Sequence, residues 1–563
     1  MRATTTVSAD SHRWTWWLVY ALALALTGLL VHQWALGQPL WLDEQMLALN
    51  LRERGLLALL APLWLDQSAP FGWLLLERTI LVWFGDGDRT LRALPLAFGV
   101  GTIGAAVWVG RRWLQPIGAA SLVVLCGLGP WLVYHALELK PYSADAFWGL
   151  ALPGLAAWAS ETAPPDAARR RRLWWTIAVA AMCVSNGALF VAPACIVVLA
   201  FTAWRREGWQ AAPGFALNGA VWLASVGTVY GITLAAAAGS ARLQSYWAFA
   251  FPPVSATAAD TGLWLLRQLA SAAVKPAGAS YPLLFWGAVL CGLALAAHRL
   301  RVGRALALVP LSMCALAVLR LVPMYERLAL WAVPAMYFGI AAGFDAGLTR
   351  LRRAARASHW PRAAFAGLLV IVALLATADI AHEGGLEQRL RLRQPSANHD
   401  LNDRAAVAWL IALRAPGDVV ITTHLALPAV WWYGRVPVSG PHSGRTLPDG
   451  TPLVEAYLAA GDDCRPDELN DLLRRHSRAL VYLGFRFDDV PPHFDDLLLD
   501  RASRFGRIVD YRGFTARGAV AVVDLRLPPV PRDATAPLRP DGLPRPEIAR
   551  LGGCVGVRPA VRW

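Results

Sequence analysis

Residues 14–36 read WTWWLVYALALALTGLLVHQWAL, twenty-three positions with no Asp, Glu, Lys or Arg. A helix rises about 1.5 Å per residue, so such a run reaches across a hydrocarbon core of roughly 30 Å. Ala35-Leu36-Gly37 faintly resembles a signal cleavage site, but the apolar run is too long for a signal peptide. It is read as an uncleaved first membrane helix. The same texture recurs at 93–110, 117–134, 145–160, 173–186, 188–204, 214–238, 281–297, 305–322, 328–348 and 363–381. The stretch 173–204 is too long for one helix, and Asn186-Gly187 offers a turn between two. The expectation is a polytopic α-helical membrane protein with about eleven spans over residues 1–381.

Composition agrees. The chain has 563 residues, of which 56% are hydrophobic and 16% charged, against about a quarter charged in soluble domains. The net charge of +14 does not point to nucleic acid, because the basic residues stand in short clusters between apolar blocks. Those clusters orient the chain. With the N-terminus inside, Arg111-Arg112, Arg169 to Arg172, Arg205-Arg206, Arg299 to Arg304 and Arg350 to Arg362 all fall in cytoplasmic connections. This holds if 71–85, which carries Glu77 and Arg78, is an interfacial or re-entrant helix and does not cross. Cys126, Cys183, Cys195, Cys291 and Cys314 lie in apolar blocks as small hydrophobes. Cys464 and Cys554 lie beyond them and would pair in an oxidising compartment.

From His382 the texture changes. Charge and proline rise, short β-rich runs stand at 418–422, 479–483, 506–511 and 519–525, and helical patterns lie at 402–413, 466–475 and 494–503. Residues 382–563 are expected to form an extracytoplasmic α/β domain with an irregular tail from Pro528.

Four polar patches then share the outer face: Trp41-Leu42-Asp43-Glu44, Gly87-Asp88-Arg89 with Arg92, His135 to Asp145, and Met324-Tyr325-Glu326-Arg327. An acidic pair after a helix exit is ordinarily a cap and a first-turn acid, yet a carboxylate at the lipid boundary also suits a general base. The loop His135-Ala136-Leu137-Glu138-Leu139-Lys140-Pro141-Tyr142-Ser143-Ala144-Asp145 is dense in ionisable groups for a simple connector. Lys140 and Lys275 are the chain's only lysines. A snorkelling lysine is the bland account of Lys140; a cation that holds a phosphate is the sharper one. Arg92 and Arg327 open helices on a face where arginine is uncommon, which leans towards an anionic ligand. No P-loop, dinucleotide fingerprint, zinc-ligand cluster or nucleophile elbow is present.

Trp41-Leu42-Asp43-Glu44, Asp66-Gln67-Ser68-Ala69-Pro70, Phe84-Gly85 leading to Leu91-Arg92-Ala93-Leu94-Pro95, Glu138-Leu139-Lys140-Pro141-Tyr142-Ser143 and Arg327 occur in that order. The pattern resembles the GT-C fold glycosyltransferases that use polyprenyl-phosphate sugars, such as protein O-mannosyltransferases and lipid A aminoarabinose transferases. It covers residues 14–381, and Gly417-Asp418 and Trp431-Trp432-Tyr433 look similar to bacterial members. The resemblance implies a multi-pass enzyme of the bacterial cytoplasmic membrane. It would transfer sugar, with inversion, from a polyprenyl-phosphate donor to a glycan, lipid or protein acceptor on the outer face. Asp43 would be the general base with Glu44 beside it, Lys140, Arg327, Arg92 and Tyr142 would hold the donor phosphate, and His135, Glu138 and Asp145 would support them. Some relatives use a divalent metal and others do not, so metal dependence stays open. Lys140 departs from the arginine of many relatives, a point charge in place of a bidentate fork. A transporter of lipid-linked saccharides is the alternative; it would place charges near mid-bilayer, often on broken helices. A non-catalytic assembly scaffold is a third reading.

Overall fold

The computed structural model describes residues 9–161, 166–357, 360–384, 401–438, 444–459, 466–486, 493–515, 518–529, 531, 536–551 and 554–557. The first part is helical: α1 Ala9–Ala35, α2 Leu42–Glu53, α3 Phe71–Phe84, α4 Ala93–Trp113, α5 Pro116–Leu128, α6 Pro130–Ala136, α7 Tyr142–Glu161, α8 Asp166–Val184 and α9 Asn186–Glu207. Then follow α10 Ala212–Val229, α11 Ala235–Gly239, α12 Ala241–Tyr246, α13 Ala258–Val274, α14 Pro282–Arg299, α15 Arg301–Val318, α16 Val333–Ala357 and α17 Trp360–Glu383. Residue type marks their ends. Pro116, Pro130 and Pro282 open helices where a missing N–H costs nothing, and paired arginines close α4 and α9 at the negative end of the helix dipole.

Among the described residues, seven helices are long and apolar enough to cross a membrane, or eight if α5 and α6, bent by 53° at Gly129, form one span. Every segment expected to cross lies on a helix. The count falls short of eleven because α7 and α8 are outside this set and residues 186–234 count as one stretch. Asp145 and Glu161 make α7 less apolar, and four consecutive arginines do the same for α8. Much of α7 is buried among its neighbours, so it need not be as apolar as a lipid-facing helix. Small residues set the closest packing. A side chain on Gly292 of α14 would collide with the carbonyl of Gly339 in α16, which lets the two backbones meet.

The C-terminal part is a six-stranded sheet in the order β4-β5-β3-β1-β2-β6. Its strands are β1 Asp418–Thr423, β2 Leu453–Ala459, β3 Arg478–Leu483, β4 Arg507–Gly513, β5 Ala519–Asp524 and β6 Cys554–Val557. β1 pairs in parallel with β2 and β3, and the outer pairings are antiparallel. Parallel strands require crossovers, and the one that carries the chain from β2 past β1 to β3 contains the helix Pro466–Arg475. All four expected strands and all three expected helices are present. β2, β6 and the helix Leu427–Tyr433 were not anticipated, and β6 corrects the expectation that the tail is irregular. Four residues of β6 suffice because they only edge an existing sheet. Cys554 is disulfide-bonded; its expected partner, Cys464, lies outside the described residues.

Alternation along β1 divides the core. Val419 and Ile421 face the helices Pro466–Arg475 and Phe494–Ser503. Val420 faces the other way, into a cluster with Leu480, Tyr482, Trp431 and Trp432 that also contains Leu42, Leu47, Leu49 and Leu51 of α2. From Glu44 to Leu51, α2 is thus buried all round, against the sheet domain on one side and α3 on the other. Arg52 secures it by donating to the carbonyls of Trp432 (3.0 Å), Trp431 (3.2 Å) and Val436 (3.0 Å) while lying over the Trp432 ring.

Candidate active site

The N-terminus of α2 is the centre. Asp43 does not cap this helix: Trp41 occupies the cap, and Glu44 reaches back to accept its N–H at 3.1 Å. That fold-back turns Glu44 inward, where it also accepts from Arg92 Nε (2.7 Å), Arg92 Nη2 (2.5 Å) and the Leu139 N–H (2.7 Å). Burial raises the Glu44 carboxyl above its usual range, against the pull of the Arg92 guanidinium. Arg92 also donates to the carbonyls of Gln38 and Pro39. Expected on a donor phosphate, Arg92 is placed behind Glu44 instead, only 3% exposed.

Glu138 forms a second buried node. It accepts from the Trp41 indole at 3.0 Å and meets His135 Nδ1 at 2.5 Å. Burial works to raise its carboxyl, but His135, with Arg327 and Lys140 nearby, outweighs burial and holds it at about 2. His135 in turn packs edge-on against Tyr142. Asp145 stands apart: it accepts from Ser185 Oγ (2.6 Å) and the Gly187 N–H (2.8 Å), fastening the start of α9.

In front of these nodes lie two partly accessible groups, Asp43 and Arg327, with the buried Lys140 close by. Asp43 Oδ2 sits 3.2 Å from Arg327 Nη2, with side chains 20% and 25% exposed. The Arg327 guanidinium lies over the Tyr142 ring, and its buried Nε has no acceptor among the described residues. An unused buried guanidinium donor is expensive, and an anion would satisfy it. Lys140 donates to Gln67 Oε1 at 2.6 Å. Burial lowers its ammonium, with Asp43 the leading opposing charge and Arg327 adding to the lowering. One acid and two cations therefore share a single field.

Gln67 belongs to the run Asp66-Gln67-Ser68-Ala69-Pro70, and the sequence alone does not mark it as a site residue. It holds Lys140 and lines a cavity of about 210 Å3 with Asp66, Ser68, Thr233, Ser240 and Leu243. Leu65 and Asp66 both have positive φ, 67° and 54°, a left-handed pair that costs backbone energy and aims the following residues. Thr233 lies in a π-helical turn, Tyr230–Leu234, of the kind that recurs at functional sites. Glu44 and Glu138 are both fully engaged, and no group of three or more His, Cys, Asp or Glu among the described residues could hold a metal ion. The residues do not fit a divalent cation as they stand.

No protein-family profile matches the chain, and no curated protein matches it. Solved structures do. ArnT from Cupriavidus metallidurans in the apo state superposes with a TM-score of 0.52 at 14% identity, covering 93% of this chain and 100% of that one. ArnT bound to undecaprenyl phosphate gives 0.49 at 14%, over 90% and 97%. The archaeal oligosaccharyltransferase AglB from Archaeoglobus fulgidus, in complex with an inhibitory peptide and a dolichol-phosphate, gives 0.47 at 13%, over 90% and 74%. Identity this low speaks to fold, and the apo ArnT superposition supplies it: this is a GT-C fold.

Proposed function

We propose that this chain transfers a glycosyl group from a polyprenyl-phosphate sugar to an acceptor hydroxyl or amine on the outer face of the cytoplasmic membrane. The observation that carries the reading is Asp43 beside Arg327, both partly open, in the field of Lys140, whose partner Gln67 lines the neighbouring cavity. A donor phosphate would compete with Asp43 for Arg327 and take up its unused Nε donor. That exchange frees the carboxylate as the cations become occupied. Asp43 then removes the acceptor proton, the acceptor heteroatom attacks the anomeric carbon, and the glycosyl–phosphate bond breaks with inversion. The electron pair leaves on the polyprenyl phosphate, where Lys140 and Arg327 stabilise the accumulating charge. Arg92, with Glu44, is better assigned to holding α2 than to the phosphate, and His135 and Glu138 to holding Trp41 and Tyr142. The sheet domain lies outside with the site, and the arginine clusters lie inside.

The transporter reading predicts ionisable groups near mid-bilayer; here they gather at helix ends beside the sheet domain. The deciding experiment follows radiolabelled sugar from a polyprenyl-phosphate carrier in membranes containing the protein. Transfer to an acceptor, lost in Asp43→Asn, supports the enzyme. Movement of intact donor between leaflets without transfer overturns it.

A further inference from the structure

Thr79, Thr102, Thr176, Thr202, Thr228 and Thr377 stand in helices, and each turns its hydroxyl back to donate to the carbonyl four residues earlier, at 2.7 to 3.2 Å. Thr233 does not. It stands in the π-helical turn Tyr230–Leu234, where bonding runs from i to i+5, and its hydroxyl has no partner among the described residues. The residue is only 9% exposed, and a buried hydroxyl left unpaired is costly. One staggered rotation exchanges the hydroxyl and methyl positions of a threonine, so a ligand in the cavity that Thr233 lines can take up this bond. The loop beside it is fixed in place. Ser68 Oγ donates to the Thr233 carbonyl at 3.0 Å, Gln67 Oε1 accepts from Lys140 at 2.6 Å, and Gln67 Nε2 donates to the Leu65 carbonyl at 3.2 Å.

Size and lining narrow the occupant. At roughly 30 Å3 per water, a volume of about 210 Å3 equals about seven waters. That is room for one sugar ring, and too little for a polyprenyl chain or a peptide segment. Asp66, Gln67, Ser68, Thr233 and Ser240 supply polar groups, and the rest of the lining is apolar, as at Phe71. A pyranose has the same division, with hydroxyls at its rim and C–H bonds on its faces. We infer that the cavity receives the sugar ring of the donor, and that the Thr233 hydroxyl reads one of the ring's hydroxyls. Under the transfer reading, on which this rests, the sugar is joined directly to the phosphate held by Lys140. Gln67 touches Lys140 and lines the cavity, so one side chain spans the gap between phosphate and ring. Thr233 is thus a specificity residue for the sugar, outside the set of charged groups that handle the phosphate.

The test measures binding of decaprenyl phosphate, bare or bearing glucose, galactose, mannose or arabinose, to the full chain in nanodiscs. Sugar transfer from each carrier is followed in parallel. At least one sugar-bearing carrier should bind more tightly than the bare one. Thr233→Val keeps the shape and removes the hydroxyl. It should weaken binding of that carrier by roughly tenfold to a hundredfold, the cost of a sugar hydroxyl left buried and unpaired, and leave the bare carrier unchanged. Thr233→Ser should restore most of the affinity. Leu243→Trp, which fills the cavity from α12, should remove the sugar's contribution by a second route. Thr228→Val, whose hydroxyl is spent on its own helix, should change nothing. If Thr233→Val binds every sugar as the unaltered protein does, the inference is overturned, and continued transfer would leave the transfer reading standing. Intact donor affinity with slower transfer in Thr233→Val also overturns it, because the ring in the cavity is then the acceptor's. Failure of the unaltered protein to bind any of the carriers overturns both readings together.

Discussion

At the scale of single residues, two neighbouring carboxylates have opposite surroundings. Glu44 accepts four hydrogen bonds in a closed interior, whereas Asp43 faces a cation it can release. Asp43→Asn should therefore cut turnover by roughly 10²–10⁴-fold while donor binding holds or tightens, because Arg327 loses its internal competitor. Lys140→Ala should weaken binding and turnover together, since phosphate is charged in both ground and transition states. Donor affinity and single-turnover rates in nanodiscs separate the two, and weakened donor binding in Asp43→Asn would remove the competition argument. Glu44→Gln should act differently again, by loosening α2, with a loss of stability as well as rate. Glu77 supplies a pH test. It is wholly buried in α3, and neither carboxyl oxygen has a partner among the described residues. Burial pushes its carboxyl well above the usual range. The folded protein then keeps a proton that the unfolded chain releases above about pH 4.3, so stability falls as pH rises through that point. Glu77→Gln should raise the melting temperature at pH 7, with the gain shrinking towards pH 4. A lower melting temperature at pH 7 would show that Glu77 is charged and paired. Asp43, Glu44, Lys140 and Arg327 were legible in the sequence as polar residues between apolar runs. Their division into open and closed groups was not, because it depends on Arg92 reaching Glu44 from 48 positions away.

Among elements, legibility followed periodicity. The long apolar runs, the buried strands β1, β3 and β5, and the strongly patterned helix Pro466–Arg475 each carry their own signal. The strands β2 and β6 do not: β2 is a mixed run, LVEAYLA, and β6 is four residues whose pairing is entirely non-local. The segment Glu326–Ala332, which carries Arg327, shows how elements position the site. It packs into α7 where Gly149 approaches the Trp331 carbonyl so closely that no side chain fits, and into α9 where Gly187 meets the Trp331 side chain. Gly149→Ala must push this segment outward and shift Arg327 from Asp43. Activity should drop by at least tenfold, since displacement of a charged group by about 1 Å can cost 10²-fold. Gly104→Ala in α4, which meets nothing within 4 Å, is the matched control and should leave activity intact. Transfer assays on the two variants at equal expression check this, and equal activity would show that the segment yields without consequence.

For the whole molecule, the division at residue 381 does not coincide with the division of the core. α2 follows the first apolar run in sequence, yet its leucines pack with Val420, Leu480 and Trp431 of the sheet domain. Polar contacts tie the same seam. Gln45 donates to Asp403 at 2.6 Å, Tyr433 accepts the Leu40 N–H at 2.7 Å, and Arg404 meets Asp88 at 2.7 Å. Nothing in a linear reading reveals this, because the partners stand more than 300 positions apart and neither half shows which surface it covers. The consequence is that Asp43 is held by the sheet domain as much as by the membrane helices. Opening the sheet domain should then release α2 in the same cooperative event, while α14 and α16, packed through Gly292 and Gly339, stay closed. Arg52→Ala tests this from a position away from the reacting groups. It strips the charged donor from three backbone carbonyls, a loss of about 1–3 kcal/mol, and empties the space over Trp432. Hydrogen exchange should speed up in α2, β1 and the helix Leu427–Tyr433 together, by a common factor, with α14 and α16 unchanged. Turnover should fall with that opening, whereas donor affinity measured on the closed protein should move little. Faster exchange confined to the sheet domain, with α2 still protected, would mean that the membrane helices alone hold Asp43 in place.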